Sequence, residues 1–312
     1  VVFVCTYGEH YDWFDSFHIR LATFLGVITF ILNRWRASFI HHSYIFHDLF
    51  SRFPMVLILI GIIILGDTLL APEHIFEHAL MEGILGYDSL NVISLNWVGF
   101  FGTLLGCLVV YVLFARWKWP YQRMLMIAFL CYIFYLAYFY FVIDYNLPKE
   151  ALYLPVIIRS VGYVIMATAV LTANTVLPFP FYFCQAVCVQ NLFSAALAGC
   201  IGSAVVGRML KVVQRTNFVE LSAGIDHLSS LPCGGWGAAY STAQTQALLE
   251  SMKEIYGALL LIAIGAWLFA VLFHPAIRPT RYLHPLFTTI RSSLSLDMLK
   301  KMRAEKRTNI ER

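Results

Sequence analysis

Apolar residues in this chain come in solid runs rather than in alternation, and short polar stretches separate the runs. The runs cover residues 17–32, 54–71, 92–114, 121–143, 152–176, 181–212 and 255–273. Most are long enough to cross about 30 Å of hydrocarbon as a helix, which takes about 20 residues. Lipid offers no hydrogen-bond partner to the backbone, so only helices or a closed barrel can cross it. Barrel strands alternate apolar and polar positions. The pattern therefore predicts an all-α polytopic membrane protein with about seven transmembrane helices. The first run is the shortest, and Arg20 lies near its start.

The polar stretches sort by charge. Residues 33–53 carry Arg34, Arg36 and Arg52, and residues 115–120 carry Arg116 and Lys118. The stretch after Phe273 carries nine further Lys and Arg, from Arg278 to Arg312. The intervening connections carry Glu9, Asp12 and Asp15, then Glu73, Glu77, Glu82 and Asp88, then Asp144 and Glu150. Basic connections mark the cytoplasmic side. The expectation is an inner (plasma) membrane protein with its C-terminus cytoplasmic. Arg208, Lys211 and Arg215, at the outer end of the sixth run, go against the rule. Three regions follow. Residues 1–53 form an external loop, a linker helix and a cytoplasmic loop. Residues 54–273 form a six-helix bundle with a long external loop at 213–254. Residues 274–312 form a basic, partly amphipathic tail, expected to lie on anionic lipid.

Composition agrees. The chain is 60% hydrophobic and 13% charged, with a mean hydropathy of +0.71. A soluble domain carries more polar surface. The net charge of +4 sits mostly in the tail, so it does not point to nucleic acid. The chain starts at Val1 without a signal-peptide pattern, and a fragment of a longer protein is expected. Seven cysteines include no CxxC. Five fall in the apolar runs as small hydrophobes, while Cys5 and Cys233 are expected on one side, where a disulfide is possible. No cofactor motif is present.

Ionisable groups inside lipid usually face a cavity or a partner. Asp67 interrupts the second run and Arg159 the fifth. Both fall roughly 6–11 Å below the outer surface at about 1.5 Å per residue. One reading pairs them in one conformational state, with protonation of Asp67 breaking the pair. The other leaves Asp67 near the interface and lets Arg159 snorkel outward. Gln190 and Asn191 fall near mid-depth, where polar groups line substrate sites or bond neighbouring helices. In the aromatic-rich fourth run, Tyr132 and Tyr135 are candidates for stacking and cation–π contact with a ligand. Small residues Ala195, Gly199, Ser203 and Gly207 recur every four positions, joined by Gly202. That spacing predicts a close helix–helix seam. The stretch His74-Ile75-Phe76-Glu77-His78 matches the HxxEH zinc-protease pattern. It lies in a short external connection with no catalytic domain around it, so no metal site is expected. His41, His42 and His47 have no standard metal spacing and are expected to be solvated.

Several segments, in order, resemble the C-terminal part of a fourteen-span major facilitator superfamily exporter of the EmrB/QacA drug:proton antiporter type. Residues 8–16 resemble its GxxxDWFxS loop, and residues 47–53 its DLxLFxxRxF entry to the next span. Residues 85–88 resemble its YGY segment, residues 154–162 its P…(R/Q)GxG pattern, and residues 193–203 its FxRxLAGSIGT element. The chain departs from the last pattern at Ala195, where many members carry Arg. The resemblance implies a major facilitator six-helix bundle plus one linker helix. It also implies export of hydrophobic or cationic compounds by proton-coupled alternating access. A periplasmic adaptor protein near the 213–254 loop is an implied partner.

Overall fold

The computed structural model describes residues 2–8, 10–11, 13–39, 49–50, 53–77, 79–144, 147–177, 181–226 and 235–272. Almost all belong to one unit, Val1–Val271; the second unit, Leu272–Arg312, contributes only Leu272. The basic tail, the histidines at 41, 42 and 47, and Cys233 lie outside the described residues.

No strand occurs among the described residues. The α-helices are α1 (Val2–Tyr7), α2 (Phe17–Phe39), α3 (Pro54–Leu70), α4 (Ser89–Val110), α5 (Tyr121–Val142), α6 (Tyr153–Ala173), α7 (Phe181–Leu192), α8 (Gly199–Asp226) and α9 (Gly235–Leu272). Pro54 opens α3 in the first turn, where a missing N–H removes no helical bond. Four stretches of wider, π-type coil continue these helices: Glu73–Glu77, Ala79–Ile84, Tyr111–Arg116 and Phe193–Ala198. Each wide turn closes on the fifth residue instead of the fourth. Gly86, at φ 63°, then turns the chain toward α4 in a conformation that suits glycine.

Seven helical stretches are long and apolar enough to cross a membrane. Three run well past the apolar runs read from the sequence: Pro54–Ile84, Tyr182–Ala223 and Trp236–Leu272. Hydropathy fell where polar residues began, but Ala, Gln, Glu, Leu, Lys and Met keep a helix going regardless. The stretch 213–254, expected as a loop, is therefore helical on both sides of residues 227–234, which lie outside the described residues. At about 1.5 Å per residue, the 38-residue α9 is about 57 Å long, nearly twice the hydrocarbon thickness. Its first half packs on α8. The Asn217 amide donates to Ser251 Oγ at 3.3 Å and Glu254 Oε1 at 3.4 Å, and the rings of Phe218 and Tyr240 are 5.7 Å apart.

Polar ties join connections at one end of the bundle. Tyr87 Oη donates to the Leu147 carbonyl at 3.2 Å, and Lys149 Nζ donates to Asn91 Oδ1 at 2.9 Å. At the opposite end, Phe53 meets Tyr182 at 5.2 Å beside a small core of Leu49, Val56, Ile60, Leu177, Ala186 and Val189. Successive helices thus run in alternating directions.

The closest backbone approach is not the predicted small-residue seam. A Cβ built on Gly102 of α4 would meet Ser160 Cβ at 2.8 Å and Ile157 Cα at 3.0 Å on α6. One on Gly106 would meet Val164 Cβ at 3.0 Å. Gly162 of α6 admits α5 as closely, with Cys131 Cβ 2.9 Å from its would-be Cβ. Of the predicted stripe, Gly202 alone makes such an approach, 3.0 Å from Thr68 Cα of α3. Gly199 and Gly207 have nothing within 4 Å of a Cβ, so they pack no neighbour. By contrast α2 buries only Ile19 and turns Phe24, Phe30 and Trp35 outward. Cys5 on α1 is free and lies near Cys200 of α8; burial first, then that thiol, push its own thiol up.

Candidate functional site

The site is assembled from helix interiors. Arg159 sits just over one turn into α6, with its side chain 8% exposed. Its guanidinium forks between two carboxylates: Nη2 to Glu73 Oε1 at 2.7 Å and Nη1 to Glu77 Oε1 at 2.6 Å. Glu73 and Glu77 open and close a single wide-turn stretch, so both reach Arg159 from one side. Tyr135 of α5 donates its hydroxyl to Glu77 Oε1 at 3.1 Å, and its ring lies 5.7 Å from Arg159 Cζ. Tyr256 of α9 braces this group from behind. It stacks on Phe139 at 5.2 Å, meets Phe76 edge-on at 5.4 Å, and lies 6.4 Å from Tyr135. Charge-assisted bonds of this fork geometry are the strong kind, and a planar guanidinium suits them.

The expected Asp67–Arg159 pair is therefore not made. Both terminal nitrogens of Arg159 are taken by Glu73 and Glu77, while Asp67 accepts a hydrogen bond from the Ser194 hydroxyl. Sequence reading missed this because it cut the second span at residue 71 and left both glutamates in a loop. Their four-residue spacing was the available signal. The same geometry bears on the HxxEH match: Glu77 is already engaged by Arg159 and Tyr135. The side chain of His74, and His78, lie outside the described residues. Among the described residues no group of three or more His, Cys, Asp or Glu could hold a metal.

Two chambers flank Asp67. The wide one, about 840 Å³, is bordered by Asp67, Glu73 and Glu77, by Asn96 and Thr103 of α4, by Arg159, Ser160 and Tyr163 of α6, and by Ser194, Ala195, Gly199 and Ser203. The narrow one, about 160 Å³, is bordered by Asp67, Tyr132, Tyr163, Met166, Ala167, Gln190, Asn191 and Ser194. Asp67, Tyr163 and Ser194 belong to both. Ala195, Gly199 and Ser203, expected to pack helices, instead keep the wide chamber open. Tyr132 and Asn191 do border a chamber, as does Gln190. Tyr135 borders neither and serves the Arg159 network. Three carboxylates against one guanidinium leave the wide chamber at −3 + 1 = −2 when all are ionised.

Gln190 has a second role. Its Nε2 donates to Asn174 Oδ1 at 3.1 Å, and the Asn174 amide donates back to Gln190 Oε1. Both residues are buried. Removing one partner of such a pair strands the other, whereas replacing both is nearly neutral. Gln190→Leu is expected to lower stability by about 1–3 kcal/mol. Adding Asn174→Leu is expected to restore most of it, as read by thermal unfolding in detergent.

No protein-family model and no curated protein matches this chain.

Proposed function

We propose that the protein is a secondary active transporter that exports hydrophobic or cationic small molecules by proton-coupled alternating access. The observation that carries this is the wide chamber of about 840 Å³ among membrane-length helices, bordered by Asp67, Glu73, Glu77 and Arg159. Its size falls within the ~300–1,000 Å³ of small-molecule sites. Ionisable groups at such depth mark solute and proton pathways. Its excess of carboxylates favours a cation over an anion. The ordered resemblance to the EmrB/QacA-type major facilitator exporters supports the same reading. It carries with it an inner-membrane location, a cytoplasmic C-terminus and an adaptor partner beside residues 213–254. An importer or lipid transporter on the same scaffold is the second reading, since fold does not fix function. A membrane zinc enzyme is disfavoured because Glu77, the would-be base, is held by Arg159.

The test is dye efflux from proteoliposomes holding the full-length protein under an imposed proton gradient. Asp67→Asn is expected to cut gradient-driven efflux of a fluorescent cation by about tenfold or more. Full activity with unchanged proton dependence in that variant would remove Asp67 from coupling. Gradient-driven uptake in place of efflux would favour the importer.

A further inference from the structure

We propose that Asp67 is reached by two separate routes: a wide chamber sized for an organic solute, and a narrow one sized for water and the protons it carries. The routes stand on geometry; only the use made of the proton rests on the transport reading above. The narrow chamber, at about 160 Å³, has room for roughly five waters at about 30 Å³ each. It falls short of the ~300 Å³ at which sites begin to enclose drug-sized ligands. Its wall suits water, because a trapped molecule needs two to four polar partners. The Asp67 carboxylate, the Ser194 and Tyr163 hydroxyls and the Asn191 amide supply them. The wide chamber, about five times larger by the two volumes, meets the narrow one only at residues they share, Asp67 among them. A carboxylate so placed can contact a solute on one face and exchange a proton through the other. The titratable groups around it are Tyr132 from α5, Tyr163 from α6, and Glu73, Glu77 and Arg159 across the wide chamber. The α7–α8 side presents Ser194 and Gly202, which do not titrate.

The chambers can be plugged independently. Ala167 borders only the narrow one, and Gly199 only the wide one, with nothing within 4 Å of a Cβ at Gly199. The first measurement uses hydroxyl radicals generated by a brief X-ray pulse, which oxidise side chains beside trapped water. Met166 borders the narrow chamber at 5% exposure, while Met124, at 0%, borders neither chamber. In the intact wild-type protein Met166 is expected to oxidise about fivefold faster than Met124 or more, if the chamber is wet. Ala167→Leu is expected to bring it down to the Met124 rate. The second measurement is mass spectrometry of Asp67 after treatment with dicyclohexylcarbodiimide, a bulky apolar carboxyl reagent. Gly199→Trp is expected to cut labelling about tenfold, because the reagent fits only a drug-sized space. Ala167→Leu is expected to leave labelling unchanged. Wild-type Met166 as protected as Met124 would overturn the water route. Labelling blocked equally by either plug would mean one route and not two. An intact oxidation and labelling pattern without dye efflux would count against the transport reading alone.

Discussion

Arg159→Met is expected to destabilise the protein by roughly 3–5 kcal/mol, the size seen when one member of a buried ion pair is removed. The loss comes from Glu77 and Glu73, whose carboxylates would remain among helices with no countercharge. The pair itself need not stabilise the fold, since taking both charges out of water is expensive. That sets the pattern across a series. Arg159→Met alone is worst. Adding Glu77→Gln and Glu73→Gln recovers much of the loss, because the stranded charges go with them. Arg159→Lys is intermediate, since an ammonium cannot reproduce the two-nitrogen fork. Unfolding midpoints in detergent, with far-ultraviolet circular dichroism to follow helix content, measure the series. If Arg159→Met unfolds at the wild-type midpoint, the fork is not holding the 73–84 coil to α6.

The second large effect is at Gly102. Its absent side chain lets α4 approach α6 so closely that a Cβ there would stand 2.8 Å from Ser160 Cβ and 3.0 Å from backbone. A rigid backbone neighbour cannot swing aside as a side-chain tip can. Gly102→Leu is therefore expected to cost about 3 kcal/mol or more, the upper range for overpacking. Gly207→Leu, made in open space, is expected to leave the unfolding midpoint within experimental error. Yield of monodisperse protein and the unfolding midpoint separate the two. Equal tolerance at both positions would remove the α4–α6 seam as the tightest joint in the bundle.

Membrane-length helices and their number were legible from apolar runs alone, because lipid imposes a length and forbids unpaired backbone. The fine structure was less so, and for identifiable reasons. Hydropathy ended the second span at Ala71, yet the coil continues to Ile84, since Glu73, Glu77 and Glu82 are helix formers turned toward partners the sequence does not reveal. Arg159 was flagged correctly as a residue needing a partner, but depth counting chose Asp67, the only acid inside a predicted span. The small-residue rule was sound and was applied to the wrong helix. Gly102 and Gly106 of α4 have the same four-residue spacing as the stripe near Gly199, and only contact with α6 distinguishes them. The fourth-span aromatics showed no face in the sequence. Packing sorts them, with Tyr132, Tyr135 and Phe139 inside and Phe134 and Tyr140 outside.

The widened coils at Glu73–Glu77 and Phe193–Ala198 both border the space around Asp67. Closing on the fifth residue, each takes up one more residue than ordinary helix would. Shortening either stretch by a single amino acid would swing everything beyond it by roughly 100°, the step of one helical residue. Glu77 would then point away from Arg159, or Ser194 away from Asp67. A relative lacking one residue in either place would keep its helices and its greasiness while losing the polar interior.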